Sequence, residues 1–192
     1  MRKFILTIMI PMLSLAFMNC SQEEPIVTIP TNIEIEAKFQ NAHEAMQWFQ
    51  LSSLPVEWEM EPHAVSEEGW SYWRVIHDTI STMSDLEIHL RGIFTEDAVT
   101  YLLSDQMLYR DFYGILHSTP ADRGTRMDAG EEVHEIIHIS ANEIIYRVHL
   151  DILEWDDINW QWLEEIYEVE IHDFHLILTD GIWLFANFHL VR

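Results

Sequence analysis

The sequence is poor in cysteine, in positive charge and in glycine. Cys20 is the only cysteine among 192 residues, so no internal disulfide can form. Lys and Arg number 10 against 33 Asp and Glu, a formal net charge of -23. Because binding to nucleic-acid phosphates needs clustered cations, this composition argues against a nucleic-acid-binding protein. The six glycines form neither a phosphate-binding loop nor a G-x-S-x-G motif, so two common signatures of nucleotide binding and hydrolysis are missing.

Apolar residues are abundant despite the charge. Hydrophobic residues make up 48% of the chain and aromatic residues 12%, including eight tryptophans. Disordered chains combine high net charge with few aromatic residues, whereas this composition can form a substantial core. The sequence therefore predicts a folded protein, with one domain over residues 32–192.

The N-terminus has the pattern of an export signal. Two cations, Arg2 and Lys3, precede an almost purely apolar run over residues 4–17, and Cys20 and a polar stretch follow. The run is shorter than the ~20 residues that a membrane-spanning helix needs. The pattern resembles a bacterial lipoprotein signal: residues 1–19 would be removed, and Cys20 would become a lipidated N-terminus on the outer side of the cell membrane. An ordinary cleaved signal with an incidental Cys20 is the alternative.

The first half of the predicted domain has helical patterns. Residues 20–31 contain Pro25 and Pro30 without helical periodicity and indicate a tether. A capping box begins at Thr31 and predicts a helix that ends near Ser52. Apolar residues repeat along it at spacings of three and four, at Ile35, Phe39, Ala42, Met46 and Phe49. Residues 55–69 read as a loop and 70–77 as a strand. Thr82 begins a second capping box, and Thr95 precedes a short third helix that ends near Leu103.

The second half has the two-residue periodicity of strands. A hairpin is predicted over residues 108–117 with its turn near Gly114, and a loop over 118–130. Strands follow at 132–139, 144–155, 163–178 and 182–191, and Asp180-Gly181 predicts a tight hairpin turn. Helices before antiparallel strands indicate an α+β fold, in which N-terminal helices pack on one face of a curved, mainly antiparallel sheet.

One motif suggests zinc chemistry. His134-Glu135-Ile136-Ile137-His138 matches H-E-x-x-H, the zinc peptidase signature, which requires a helix to bring both imidazoles to one metal. The flanking Ile, Val and Tyr residues favour a strand, where these histidines would lie ~13 Å apart. We therefore expect no metal and no enzymatic activity, and interpret the histidines as lining one semi-polar sheet face.

An acidic, tryptophan-rich stretch follows. Asp156, Asp157 and four glutamates between residues 164 and 170 alternate with Trp155, Trp160 and Trp162. One interpretation is a solvated rim whose tryptophans pack in the core. The other is a binding surface for a cationic or polar partner, with exposed tryptophans as anchors.

Four segments between residues 70 and 192 share their order and spacing with a known family. They are Leu86, Leu90 and Phe94 with Thr95 behind them; residues 109–114 with Leu116; Ala121-Asp122-Arg123-Gly124; and Gly181, Trp183, Phe185 and Phe188. Together they resemble the exported IseA-type inhibitors of cell-wall D,L-endopeptidases. The Ala-Asp-Arg-Gly segment is the most specific part of this resemblance.

The resemblance implies a protein that has no cofactor, occupies the active-site groove of NlpC-type cysteine peptidases and restrains peptidoglycan cleavage. Tyr109, Asp122, Arg123 and Arg126 are the contact residues it suggests, and Arg123→Ala is expected to weaken inhibition with little change in stability. An alternative from another class stays open. A small-molecule-binding or scaffold domain of nuclear-transport-factor-like fold would show the same order of helices and strands, and a pocket between helix and sheet would favour it.

Overall fold

The computed structural model describes residues 28–58, 61–104, 107–120 and 122–191. The predicted leader, Cys20 and residues 20–27 of the tether lie outside these ranges. The helices are α1 (Asn32–Gln50), α2 (Met83–Arg91) and α3 (Glu96–Ser104). The strands are β1 (Ala64–Val65), β2 (Ser71–Arg74), β3 (Tyr109–Phe112), β4 (Ile115–Ser118), β5 (Ala129–Ser140), β6 (Glu143–Asp156), β7 (Gln161–Thr179) and β8 (Ile182–Phe185). The α+β prediction is confirmed.

Side-chain caps fix where the first two helices begin. The Glu34 carboxylate accepts a hydrogen bond from the Thr31 amide at 2.7 Å, and the Thr31 hydroxyl accepts one from the Glu34 amide. Thr82 and Asp85 form the same reciprocal pair at the start of α2. Both predicted capping boxes are confirmed, and each satisfies amides that have no partner within the helix.

The strands form two antiparallel sheets of four. The smaller has the order β1-β2-β4-β3, and the larger, which is strongly curled, has the order β5-β6-β7-β8. Strict alternation of buried and half-buried residues runs along most of β6. Because successive residues point to opposite faces of a strand, every second side chain of β6 faces the core.

Helix α1 packs on one face of the larger sheet through aromatic rings. The Phe39 ring stacks on Tyr146 with centroids 4.1 Å apart, and it also contacts Phe174 and Phe188. Phe174 and Phe188 stack on each other at 4.5 Å. This cluster lies in the continuous core shared by the helices and the sheet, and it confirms the predicted packing of helices on one sheet face.

The last strand is shorter than predicted. β8 ends at Phe185, where the sequence suggested a strand to residue 191. The Asn187 side chain accepts a hydrogen bond from the His175 amide and donates one to the Asp173 carbonyl, so a side chain replaces strand pairing on β7. On the other edge of β8, the Phe185 amide and carbonyl bond to Ile93 and Thr95 in the α2–α3 connection.

Two further boundaries differ. The predicted loop over residues 55–69 contains the short strand β1, and the strand predicted over 70–77 is regular only within β2.

No helix in the described part of the chain is long and apolar enough to cross a membrane.

Candidate functional site

Tyr109 is a core residue. Its side chain is 3% exposed, and its hydroxyl accepts a hydrogen bond from the Leu54 amide at 2.8 Å and donates one to the Trp48 carbonyl at 2.9 Å. Burial raises the pKa of the Tyr109 hydroxyl. This geometry gives Tyr109 a structural role at the end of α1, in place of the partner contact suggested from the sequence.

Asp122 and Arg123 begin an exposed segment that is attached to the same helix end. Asp122 forms an isolated antiparallel bridge with Ser52, and its carboxylate accepts a hydrogen bond from the Gly124 amide at 3.2 Å. The Arg123 amide donates to the Leu51 carbonyl at 2.9 Å, and its guanidinium donates to the Phe49 carbonyl. The last carbonyls of a helix lack intrahelical partners, so Arg123 satisfies groups that would otherwise need water.

Arg126 attaches the other end of this segment to β7. Its guanidinium forms paired hydrogen bonds with the Asp128 carboxylate, at 3.0 and 2.9 Å, and with the Glu170 carboxylate, at 2.7 and 3.1 Å. The hydrogen bonds from Arg126 lower the pKa of both carboxyl groups, and the two carboxylates raise the pKa of Arg126. Such planar, two-point contacts fix the orientation of the guanidinium group and also pair its charge.

The network around Glu170 continues to the C-terminal segment. Glu170 Oε2 lies 3.1 Å from His172 Nε2, and His172 Nδ1 lies 3.0 Å from His189 Nε2. Burial, followed by the neighbouring His172, lowers the pKa of His189. A chain of polar contacts thus runs from Arg126 on the loop to His189 near the end of the chain.

We call residues 122–127 the clamped loop. All six residues are exposed, while Arg123 holds one end to α1 and Arg126 holds the other to β7. Met127, which the sequence analysis did not single out, is 75% exposed and gives the loop an apolar side chain. The structure therefore brings Asp122, Arg123 and Arg126 together on one segment, where both arginines hold the loop in position.

The clamped loop leads directly into the larger sheet. The Leu153 amide of β6 donates a hydrogen bond to the Asp128 carbonyl at 2.8 Å. At Gly130 the register between β5 and β6 shifts, and a Cβ there would lie 3.0 Å from a Leu153 methyl and 3.1 Å from the Asp151 carbonyl. A glycine permits this close approach, so the loop and the adjoining part of β6 are tightly joined.

The H-E-x-x-H motif lies on β5, as predicted from its strand composition. His134 contacts the rings of Phe39 and Tyr146 on the helix-covered face. Glu135 lies 4.0 Å from Arg147 Nη1 and 3.6 Å from His149 Nε2 on the opposite face. The strand therefore separates the glutamate from the histidine side. In the ranges that the structure describes, no three His, Cys, Asp or Glu side chains are placed to hold one metal ion.

Two of the cavities among the described residues lie beside the C-terminal half of α1. One, of about 330 Å³, lies between α1, α3 and the C-terminal segment and is lined mainly by apolar residues, among them Met46, Phe94, Leu102 and Phe188. The other, of about 360 Å³, is lined by Trp48, Glu44 and the imidazoles of His77 and His89. Burial, then the neighbouring His77, lowers the pKa of His89, whereas Glu44 opposes this shift.

Comparisons of the chain with protein-family models and with curated proteins found no match.

Proposed function

We propose that this protein is an exported, non-enzymatic inhibitor of NlpC-type peptidoglycan D,L-endopeptidases, attached to the cell membrane through a lipid on Cys20. The proposal begins from the resemblance of the Ala-Asp-Arg-Gly segment and its companions to IseA-type inhibitors. The proposal also rests on the way in which Arg123 and Arg126 of this region hold an exposed loop in position.

The observation that carries the proposal is the clamped loop. An inhibitor that fills an enzyme groove gains affinity when its inserted segment is already ordered, because less conformational entropy is lost on binding. Arg123 and Arg126 hold the two ends of the loop through hydrogen bonds to α1 and β7, while residues 124 and 125 and Met127 stay exposed. This is the geometry of a segment prepared to bind without rearranging.

The charge supports the same assignment. A net charge of -23 produces a negative field that accelerates encounters with a basic enzyme. Salt at physiological concentration screens that field beyond ~8 Å, so charge contributes to the association rate and contacts at the loop determine specificity.

The test is a titration of the purified protein into peptidoglycan digestion by a panel of NlpC-type endopeptidases, with and without chelator. We expect saturating inhibition near one-to-one stoichiometry that the chelator does not change. No inhibition across the panel would contradict the proposal, and chelator-sensitive hydrolysis by the protein itself would replace it with a metallopeptidase.

The anchor has its own test. Cys20→Ser should move the protein from the membrane fraction to the soluble fraction, because a cysteine thiol carries the lipid in bacterial lipoproteins. Unchanged partitioning of the variant would contradict lipidation and leave the inhibitor proposal intact.

One observation favours a second candidate, a small-molecule-binding domain. The cavity of about 330 Å³ beside Phe94 and Phe188 is within the size range of ligand sites and mostly apolar. The space between α1 and the larger sheet, where a nuclear-transport-factor-like domain would hold a ligand, is filled by the Phe39, Tyr146 and Phe174 rings. Native mass spectrometry of the purified protein would reveal a retained small molecule.

A further inference from the structure

The β6–β7 hairpin extends beyond both of its neighbours. β6 and β7 pair as far as Asp156 and Gln161, whereas β5 begins opposite Ile152. On the other side, β8 pairs with β7 only over residues 176–179. At ~3.3 Å per residue, the two strands run on for ~13 Å past the start of β5. We call residues 155–162 the hairpin tip.

The hairpin tip presents apolar side chains to solvent. Ile158 is 87% exposed and Trp160 is 79% exposed. Trp155 makes edge-to-face contacts with Trp160, at 6.5 Å between centroids, and with Trp162, at 4.9 Å. None of these tryptophans belongs to the buried core that the helices share with the sheet. Trp is one of the residue types that most often contribute strongly to binding energy at protein interfaces.

Hydrogen bonds fix the conformation of the tip. The Asp156 carboxylate accepts from the Ile158 amide at 2.8 Å, from the Asn159 amide at 3.1 Å and from the Asn159 side chain at 2.7 Å. These bonds, that of the Asn159 side chain foremost, lower the pKa of Asp156. Trp160 has a φ of 55°, a left-handed conformation that L-residues adopt at an energetic cost. The backbone that carries the exposed indole is therefore ordered before any partner arrives.

The surroundings of the tip indicate the charge of the partner. The sequence from residue 148 to residue 191 contains no Lys or Arg, and Glu154, Asp156, Asp157 and Glu165 surround the tip along the chain. An anionic lipid surface and a second copy of this tip would both be repelled. A basic protein surface would be attracted.

Hydrogen bonds join the clamped loop to the base of the hairpin. The Asp128 carbonyl, one residue beyond the loop, accepts the hydrogen bond of Leu153, where the hairpin begins to project. Arg126 on the loop binds Glu170 on the β7 strand of the same hairpin. The clamped loop and the hairpin tip therefore lie at the same end of the larger sheet, and the loop is bonded to the strands below the tip.

We propose that the hairpin tip is a second binding element of the inhibitor, with Ile158 and Trp160 entering an apolar pocket in a basic groove of the target peptidase. This assignment rests on the inhibitory function proposed above. The clamped loop and the tip would engage the enzyme together, and the acidic residues around the tip would face cationic groups at the rim of the pocket.

The test compares inhibition constants of matched variants against a peptidase that the wild-type protein inhibits. The double variant Ile158→Asn/Trp160→Asn removes the apolar tip and retains a residue that tolerates positive φ. The control Tyr113→Asn removes a side chain that is 99% exposed at a φ of 59°, in the β3–β4 turn of the other sheet. We expect the inhibition constant of the tip variant to rise at least about tenfold, with no change for the control.

A second variant tests charge and does not depend on the apolar residues. Asp157→Lys reverses a charge at the tip and should slow association several-fold at low salt, with a smaller effect at high salt. Unfolding midpoints of all variants should stay within error of the wild-type midpoint.

Three results would overturn the assignment. Wild-type-like inhibition by both tip variants would leave the inhibitor proposal standing and remove the tip from it. Absence of inhibition by the wild-type protein would contradict both the inhibitor proposal and the role of the tip. Trp160-dependent binding to phosphatidylcholine–phosphatidylglycerol vesicles, or Trp160-dependent dimerisation in sedimentation, together with unaltered inhibition, would assign the tip to a membrane or to a second copy.

Discussion

The Tyr109 hydroxyl donates a hydrogen bond to the Trp48 carbonyl, 2.9 Å away, at the C-terminus of α1. Arg123 binds the next carbonyl, that of Phe49, and its amide binds the Leu51 carbonyl. Residues from the β3 strand and from the clamped loop thus satisfy the end of a helix that lies far earlier in the chain. Two of the four segments that carry the resemblance, those with Tyr109 and Arg123, are in this way part of the framework that holds the loop.

Tyr109→Phe should lower the free energy of unfolding. The change removes the hydroxyl that satisfies the buried Leu54 amide, and an unsatisfied buried donor costs about 1–3 kcal/mol. Urea unfolding would measure the loss. The control Tyr101→Phe, on a side chain that is largely exposed, should change the unfolding free energy by less than about 0.5 kcal/mol. Equal effects of the two variants would contradict the structural role.

Stability should also fall at high pH. Burial raises the pKa of the Tyr109 hydroxyl above its value in the unfolded chain, which is about 10. Burial, then the charges of Glu36 and Glu132, raises the pKa of Tyr146 to about 12. The folded state therefore keeps protons that the unfolded state releases, so this stability is complete below about pH 10 and declines above it. Unfolding measured between pH 9 and 12 should show the decline, and Tyr109→Phe should make it shallower.

Arg126→Gln should loosen the clamped loop more than it destabilises the fold. The ion pairs of Arg126 are partly exposed, so we expect a loss of about 1 kcal/mol in unfolding free energy and a clear gain in amide exchange over residues 122–127. Inhibition should weaken, since a looser loop loses more entropy on binding. Arg126→Lys retains the charge without the paired geometry. Its unfolding free energy and its inhibition should lie between those of the wild type and Arg126→Gln.

The unfolding free energies of the wild type and of Arg126→Gln should converge in acid. Hydrogen bonds from Arg126 lower the pKa of Asp128 and of Glu170, so their contribution is present above the unfolded values near 4 and is lost as the pH falls. The stability difference between wild type and Arg126→Gln should therefore shrink below about pH 4. A difference that stays constant down to pH 2 would show that the carboxylates are not its source.

Arg123→Ala should now reduce stability as well as inhibition. The sequence alone suggested a binding role with little effect on the fold, but the guanidinium bonds to the Phe49 carbonyl at the end of α1. Losing that bond should cost about 1–2 kcal/mol in thermal or urea unfolding. Arg123→Lys keeps a cationic donor group and should recover part of the loss. Unchanged unfolding of Arg123→Ala would restore the purely binding role.

Local patterns predicted most of the fold because the decisive interactions were between near neighbours. The capping boxes at Thr31 and Thr82 and the tight turn at Asp180-Gly181 each depend on residues within a few positions. The strand composition around His134 outweighed the zinc motif for the same reason. The leader and Cys20 lie outside the described residues and stay predictions.

Long-range contacts explain what local patterns missed. The alternation after Ile182 cannot show that Asn187 binds the β7 backbone, which ends β8 early. Nothing around Tyr109 indicates that its hydroxyl reaches α1, and nothing around Arg126 indicates Glu170 as its partner. The tryptophan-rich stretch left two interpretations open because exposure depends on how far β6 and β7 extend beyond β5. Trp160 is exposed and lies outside the core, so it does not pack as the first interpretation expected, and the binding surface stays a proposal.

The hairpin tip also has a consequence for how such a protein diversifies. Its backbone depends on Asp156 and Asn159, whereas Ile158 and Trp160 lie outside the shared core. Substitution of Ile158 therefore meets little folding constraint, and substitution of Trp160 is limited mainly to residues that tolerate a positive φ. Under the proposed inhibitory function, target preference can therefore change over generations at the tip, while the framework around α1 and the loop is inherited intact.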